Sequence, residues 1–165
     1  MRFRWETEFK ETEIGEIPRD WEVMEIKHLV DRTIKFPIVD GPFGTQLHMD
    51  EYTFQGIPVI RVINLSYEGE FISDNLVFIS EEKFNQLKRS AVKPNDLIIA
   101  KTGATIGKLA LLPNHINQAL IASSCLKVTF NFKNAIPRYY LYFFTTQIGQ
   151  ESIKSRAEGV QREIQ

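Results

Sequence analysis

Short apolar runs, separated by polar segments that contain glycine or proline, follow one another along this chain. The run 57–65 is rich in β-branched residues, and Pro58 stands at its start, where a missing N–H is tolerated, so we predict a strand there. Apolar and polar residues alternate over 21–26, which predicts a strand beginning at Trp21. Further apolar runs predict additional strands at 76–79, 97–101, 109–112 and 120–130, the last holding one strand or two.

Two segments carry helix signals, and the first begins at Ser80. Serine is a good N-cap residue, Glu81 and Glu82 follow it in the first turn, and Lys88 and Arg89 come near the end. This order of charges complements the helix dipole. The sequence therefore predicts a capped helix over this segment.

The second helix is aromatic-rich and begins at Pro137, a residue suited to the first turn of a helix. It runs through 139–144; we expect Gly149 to interrupt it and a final helical turn to span 151–157. Its aromatic density is open to two interpretations. A base-stacking platform is one; packing against a sheet, with phenylalanine facing the core and tyrosine at its margin, is favoured.

These elements predict an α+β fold, a single domain with a mixed, twisted β-sheet and a few packed helices. The length of 165 residues fits one compact domain. Residues 1–20 are polar, and we interpret them as a lead-in segment. Residues 21–165 then form the domain itself.

The charge of the chain is unevenly distributed. The net charge of −1 argues against a nucleic-acid partner. Residues 1–82, however, carry 8 Lys/Arg and 17 Asp/Glu, whereas residues 83–165 carry 12 and 4, and no acidic residue lies between Asp96 and Glu151. A phosphate backbone favours a surface free of carboxylates. The equally open alternative is that the basic half pairs with the acidic half inside one fold.

Several features of the sequence bear on the location of the protein. No apolar run approaches the roughly 20 residues needed to span a bilayer. The start of the chain is charged and aromatic rather than typical of a signal peptide. The one cysteine, Cys125, excludes an internal disulfide framework and lies in an apolar run. We therefore expect a cytoplasmic protein, no membrane partner, and a buried, inert thiol.

No catalytic motif stands out. The pattern Gly103-x-x-x-Gly107-Lys108 is not a P-loop, because the glycines are one residue too close and Leu109 replaces the Ser/Thr that would hold magnesium. A glycine-rich turn still leaves backbone N–H groups free to face an anion. The three histidines are His28, His48 and His115, and they show no metal-ligand spacing among themselves or with Cys125. We expect no enzymatic activity, no metal and no cofactor.

Five blocks of the sequence stand in a fixed order along the chain: Thr12–Glu22, Gly41–Leu47, Gly56–Leu65, Lys93–Lys108 and Pro137–Tyr142. Together they resemble the specificity (HsdS) subunits of type I restriction-modification systems. The resemblance covers essentially the whole chain from residue 10, and the block ending at Lys108 is its most specific part. Each block alone is weak, and their common order makes the resemblance strong.

The chain also departs from the family pattern. Asn95 stands where the family often has glycine, although asparagine also tolerates a left-handed turn conformation. The stretch 159–164 keeps only part of the Gly-x-x-Gln-x-x-Ile pattern that leads into a long spacer helix in such subunits. A specificity subunit has two target domains with helical spacers. We therefore expect this chain to be a fragment, a truncated gene product or a half-subunit.

The resemblance implies that the domain recognises double-stranded DNA and performs no chemistry. Methyltransferase (M) subunits, which bind S-adenosylmethionine, and a motor-endonuclease (R) subunit would modify and cleave the DNA. A second specificity half, or a second copy of the chain, would complete the split target.

A target domain places side chains on base edges and fixes its position through phosphate contacts. Our candidates for phosphate contacts are Lys88, Arg89, Lys101, Thr102 and Lys108. Our candidates for base reading are Thr45, Gln46, His48, Arg61 and Asn64. Each also has a plain structural interpretation: Arg61 as a solvent-facing or salt-bridged strand residue, Asn64 as a cap, and the others as ordinary loop or surface residues.

Two alternatives remain open at this point. One is the target recognition domain of a type II restriction enzyme. The other is a protein-interaction module that does not bind DNA. A face free of acidic residues would favour DNA binding, whereas basic residues paired with Asp or Glu would favour the interaction module.

Overall fold

A computed structural model of the protein describes residues 8–162, and their side chains up to residue 156. The first part of the predicted lead-in segment, residues 1–7, lies outside this range. The side chains of the 159–164 stretch, where the sequence departs from the family pattern, lie outside it as well.

The described residues contain short strands, three helices and several single 3-10 turns. The strands are β1 (Phe9–Thr12), β2 (Gly15–Pro18), β3 (Ile38–Asp40), β4 (Ile57–Ile60), β5 (Val77–Ile79), β6 (Ala91–Val92), β7 (Leu97–Ala100), β8 (Leu109–Leu111), β9 (Ala119–Ile121) and β10 (Cys125–Val128). The helices are α1 (Glu81–Gln86), α2 (Pro137–Thr145) and α3 (Gln147–Arg162).

Within residues 8–162 these strands form one hairpin and two four-stranded sheets. Strands β1 and β2 pair as the hairpin. The first sheet has the order β3-β10-β7-β8 and is antiparallel throughout. The second has the order β5-β4-β9-β6 and is mixed, because β4 and β9 run parallel. The predicted α+β class is confirmed, with two sheets in place of one.

The core consists of layers on the two faces of each sheet, and alternate residues of a strand belong to different layers. In β7, Ile98 and Ala100 join a cluster shared by the two sheets, whereas Leu97 and Ile99 face the other way, toward α2. All four residues of β7 are buried because both faces of this strand are covered. On the outer face of the second sheet, Phe84 of α1 packs in a third cluster.

Most predicted strands are present, but two predictions need correction. Residues 21–25 form no strand; Trp21 instead packs edge-on against Tyr139, with 6.2 Å between ring centroids. Alternation alone does not make a strand where no neighbouring strand is available for pairing. The strand predicted over 57–65 ends at Ile60, because a 3-10 turn follows at Val62–Asn64.

The helix predictions hold at their starts and need correction at their ends. Helix α1 ends at Gln86, so Lys88 and Arg89 lie beyond it in a 3-10 turn. The hydroxyl of Ser80 accepts a hydrogen bond from the Lys83 N–H, so the predicted N-cap is confirmed. Pro137 is the first residue of α2. Gly149, however, does not interrupt the aromatic helix; α2 ends before Thr146, and Gly149 lies inside α3, which is longer than the predicted final turn.

Gly149 has a packing role at the corner between α2 and α3. Its N–H donates to the Thr146 hydroxyl, which caps the start of α3 (3.2 Å). A Cβ at this position would lie 2.2 Å from the carbonyl oxygen of Phe143. The absence of a side chain thus allows the two helices to meet at this angle.

The aromatic face of α2 divides as predicted. Leu141 and Phe144 are buried in the cluster beneath the first sheet, whereas Tyr139 and Tyr142 are exposed. The amphipathic pattern therefore reflects packing against a sheet.

A buried lysine of the first sheet, Lys127, forms an ion pair with Asp96 and a hydrogen bond to the second sheet. Lys127 of β10 lies 3.8 Å from the carboxylate of Asp96, and both side chains are almost fully buried. The Lys127 ammonium also donates to the carbonyl oxygen of Ala91 in the second sheet (2.6 Å), and the carboxylate accepts from the Lys93 N–H (3.0 Å). Burial raises the pKa of Asp96 and lowers the pKa of Lys127, because it disfavours the charged form of each group. The pairing of the two charges and these hydrogen bonds offset part of the cost of burial.

Cys125 provides a test of the buried core. Its side chain is fully buried, and burial raises the pKa of the thiol to about 12. Because the thiolate is the nucleophile, we expect no reaction of the native protein with iodoacetamide at pH 8 and complete reaction in denaturant. Mass spectrometry of both samples measures the alkylated fraction, and rapid labelling of the native sample would contradict the burial.

Candidate nucleic-acid interface

Strands from both sheets end around one turn, residues 122–124, which joins β9 of the second sheet to β10 of the first. The Ala122 N–H donates to the carbonyl oxygen of Ile60, at the end of β4 (2.9 Å). The Lys101 N–H, just after β7, donates to the carbonyl oxygen of Ser124 (2.9 Å). Connections that leave these strand ends therefore emerge on one side of the molecule.

We call this side the loop edge, formed by segments 41–56, 61–64, 88–90, 101–108 and 122–124. All ten residues predicted to contact DNA lie on these segments. Hydrogen bonds at the turn thus bring together the points where these segments leave their strands, Gly41, Ile60 and Lys101 among them.

The segment 41–56 leaves the first sheet at Gly41, whose backbone is packed directly against the turn. The Gly41 N–H donates to the carbonyl oxygen of Cys125 (2.9 Å). A Cβ at Gly41 would lie 2.0 Å from the carbonyl oxygen of Ala122. Only glycine permits this approach, which fixes where the segment begins.

The predicted base-reading residues of this segment are exposed: Thr45, Gln46 and His48. The Gln46 side-chain oxygen accepts from the Phe43 N–H (3.1 Å), and the His48 N–H donates to the Glu51 carboxylate (2.8 Å). This hydrogen bond, together with Lys83, lowers the pKa of Glu51. The segment is internally ordered, yet its side chains remain accessible.

The glycine turn at 101–108 reaches the loop edge from the neighbouring strand. Thr102 is exposed, and Lys101 and Lys108 are partly exposed. The N–H groups of Ile106, Gly107 and Lys108 donate to carbonyl oxygens of 100–105, so these three groups are not free to face an anion. The side chains of Lys101, Thr102 and Lys108 are further contact groups of this turn.

Lys88 and Arg89 lie in a 3-10 turn at Lys88–Ser90 that also packs on the loop edge. The Ser90 hydroxyl donates to the carbonyl oxygen of Asp40 at the end of β3 (2.8 Å). Both basic side chains are exposed, and the Arg89 guanidinium stands 5.1 Å from the centre of the Phe36 ring.

Arg61 lies just beyond β4 rather than in mid-strand as predicted. Its guanidinium donates to the carbonyl oxygen of Asn75 (2.5 Å). It borders an open groove of about 460 Å³ that Tyr52, Phe54 and Phe78 also line. Arg61 is thus held at the surface beside aromatic side chains.

Asn64 is corrected from a base-reading residue to a structural one. It is fully buried; its side-chain oxygen accepts from the Arg61 N–H (3.0 Å), and its amide donates to the carbonyl oxygens of Ile72 (2.9 Å) and Asp74 (3.1 Å). Because its polar atoms are used inside the fold, it has no group left for DNA. We therefore remove it from the candidates.

The charged side chains of the loop edge agree partly with each interpretation of the charge distribution, DNA binding and pairing of the basic half with the acidic half. Lys101 pairs with Asp40 (3.0 Å) and Lys83 with Glu51, joining the basic half of the chain to the acidic half. The first pair is exposed and contributes at most about 1 kcal/mol, so another anion competes readily with Asp40. Arg89 and Lys108 instead stand over aromatic rings.

The sequence did not single out the exposed apolar residues of this edge. Phe43, Met49 and Phe54 are 78%, 86% and 103% exposed. In the sequence they look like ordinary core residues, because nothing in the local pattern distinguishes an apolar side chain that will be left uncovered. Exposed apolar side chains of this size are typical of surfaces that another molecule covers when they form one contiguous patch.

Residues 8–162 contain no cluster of three or more His, Cys, Asp or Glu side chains that could hold a metal ion. No helix in this range is long and apolar enough to cross a membrane.

Comparisons with known proteins define the fold class first. A crystal structure of the HsdS subunit from Thermoanaerobacter tengcongensis matches with a TM-score of 0.54 at 13% identity, covering 94% of this chain and 41% of that chain. A structure from the type I R-M system matches with a TM-score of 0.56, also at 13% identity, and covers 94% and 42%. The fold is therefore that of HsdS subunits.

Sequence comparison then identifies the relatives. The type I restriction enzyme MjaIX specificity subunit of Methanocaldococcus jannaschii is 32% identical over 166 residues, covering 96% of this chain and 34% of that subunit. No family profile matches the chain. The predicted resemblance to specificity subunits of type I restriction enzymes is confirmed, and the chain spans about a third of the length of the curated relatives it matches.

The close approach at Gly41 makes a testable prediction. Replacing Gly41 with alanine forces two backbone segments apart, and we expect a loss of roughly 1–3 kcal/mol of unfolding free energy in urea titrations. Gly44→Ala is the matched control, because a Cβ there meets nothing within 4 Å. We expect the control to stay within about 0.5 kcal/mol of the wild type; equal effects of both changes would argue against the packing described.

The structural role assigned to Asn64 is also testable. We expect Asn64→Ala to lower the unfolding free energy by roughly 1–3 kcal/mol, because it leaves buried backbone groups without partners. Asn85→Ala, at an exposed position of α1, serves as the control. A fully stable Asn64→Ala protein with altered DNA preference would restore the residue to the base-reading set.

Proposed function

We propose that this chain is a DNA target recognition domain of a type I specificity subunit, which reads one half of a split DNA site. The observation that carries the proposal is that the segments holding nine predicted contact residues leave strand ends that meet at one turn. The similarity to specificity subunits over 96% of the chain supports it. In this proposal residues 21–165 are the recognition domain and residues 1–20 its lead-in.

The loop edge has the two kinds of group that sequence-specific binding requires. Lys88, Arg89, Lys101, Thr102 and Lys108 contact phosphates and fix the position of the domain on the duplex. Thr45, Gln46, His48 and Arg61 reach the base edges in the major groove. The exposed pair between Lys101 and Asp40 opens when a phosphate takes the place of the carboxylate.

The domain in this proposal performs no chemistry of its own. It works in the cytoplasm with methyltransferase and restriction subunits, and it takes the other half of the target from a second specificity half or a second copy. One half-site reader covers a limited stretch of DNA, so we expect the isolated chain to bind weakly and to lose affinity as salt rises.

A protein-interaction module is the second candidate, and two observations favour it. Lys101 and Lys83 pair with acidic side chains. Phe43, Met49 and Phe54 present exposed apolar side chains along segment 41–56. A partner protein covering these side chains would explain their exposure without DNA.

Domain exchange in an assembled complex distinguishes the two candidates. We expect replacement of this domain by another target domain to change the sequence that the complex methylates, as measured by methylome sequencing of the host. Unchanged methylation after the exchange would rule out the proposed function, and a complex that fails to assemble would favour the interaction module.

Single substitutions separate phosphate contacts from base contacts. We expect Lys101→Ala to weaken binding to all DNA sequences alike, because a phosphate contact carries no sequence information. Gln46→Ala should instead alter the preferred sequence, with a discrimination change of about 1–3 kcal/mol at one position. Binding measured against a panel of duplexes tests both, and the reverse pattern would exchange the two roles.

A further inference from the structure

Two lysines from distant parts of the chain converge on one tyrosine beside the glycine turn. The ammonium group of Lys108 lies 5.7 Å from the centre of the Tyr67 ring, and that of Lys154 lies 6.0 Å from it. The Tyr67 hydroxyl donates to the carbonyl oxygen of Ala104 (3.1 Å), which ties the ring to the same turn. This arrangement places one charge from the turn and one from α3 on a common aromatic ring.

Like charges on one ring create a site that attracts an anion. Each ammonium is attracted to the aromatic ring, and the two repel each other. Glu68 and Glu70 follow Tyr67 in the chain, yet within residues 8–156 neither lysine has an ion pair closer than 4 Å. An anion that binds beside the Tyr67 ring gains attraction from both ammonium groups.

Gln150 fixes α3 against the glycine turn. Its side-chain amide donates to the carbonyl oxygens of Gly107 (2.8 Å) and Phe144 (2.8 Å). Gly107 has a left-handed backbone (φ +92°), and a Cβ there would lie 2.3 Å from the Gln150 side-chain oxygen. Lys154 is one helical turn beyond Gln150 and so lies on the same face of α3. The relative position of the two lysines is therefore built into the fold.

We propose that Lys108 and Lys154, held on the Tyr67 ring, form a binding site for a backbone phosphate of DNA. The site extends the loop edge onto α3, a helix that held none of the predicted contact residues. This inference rests on the proposed function and adds to it a specific contact, with Gln150 as the positioning residue.

The salt dependence of DNA binding tests the proposal. Fluorescence anisotropy of a labelled duplex of mixed sequence, titrated with the full chain at several KCl concentrations, gives the slope of log affinity against log salt. We expect Lys154→Ala to reduce the slope by about 0.9 and to weaken binding about threefold to tenfold at moderate salt, as expected for one lost phosphate contact. Lys154→Arg should retain the slope, because it retains the charge.

Lys133→Ala is the matched control. Lys133 is an exposed lysine in the segment after β10, whereas the loop edge lies at the start of that strand. We expect this variant to keep both slope and affinity, and circular dichroism checks that every variant is folded.

The outcomes separate failure of the inference from failure of the proposed function. If Lys101→Ala lowers the slope and Lys154→Ala leaves it unchanged, DNA binding stands and the α3 site is wrong. If the wild-type chain binds no duplex even at low salt, the proposed function fails and the site fails with it. If Lys133→Ala reduced the slope and the affinity as much as Lys154→Ala, the site would also be wrong, because the effect would then reflect the total charge of the chain and not a specific contact.

Discussion

Backbone hydrogen bonds around the turn at 122–124 hold the two sheets in a fixed relation, and the rest of the molecule depends on that relation. Ala122 is hydrogen-bonded to the end of β4, Ser124 to the start of the glycine turn, and Cys125, the next residue, to Gly41. Backbone groups that are shielded from water are costly to leave unpaired, which favours the formation of these contacts together. Because the strand ends are fixed here, the segments that leave them share one surface.

The same constraint explains the composition of the central strands. Residues of β7 and β9 are apolar on both faces because both faces are covered. One face of each strand packs against the other sheet, and the opposite face packs against a helix, α2 for β7 and α1 for β9. Packed apolar surfaces hold the layers together without specifying how they slide. The pair between Asp96 and Lys127, with its bond to the Ala91 carbonyl oxygen, adds a directional contact between the sheets.

Local features of this protein could be predicted from the sequence, and features that depend on distant contacts could not. The Ser80 cap and the start of α2 at Pro137 follow from short-range hydrogen bonding and backbone geometry, so the sequence was sufficient. The strand predicted at Trp21 was wrong because a strand needs a partner, which local alternation does not reveal.

The candidate site shows the same division. Its segments could be identified, because glycine turns and polar loops are visible in the sequence. The burial of Asn64 could not, since it depends on carbonyl groups of the 72–74 segment. The approach of Lys154 to Tyr67 depends on the direction of α3, which is set at the Gly149 corner by the proximity of two helices.

The way segment 41–56 is attached separates the residues that hold it from the residues that it exposes. Leu47 and Tyr52 pack against the core, whereas the side chains between and beside them, such as Gln46, His48 and Met49, are exposed. Substitutions at exposed positions change stability little. In the proposed function, the surface offered to DNA can therefore change at small cost to folding, whereas changes at Gly41 or at the two packed residues lower stability. Stability and the proposed recognition thus depend on separate sets of positions within this segment.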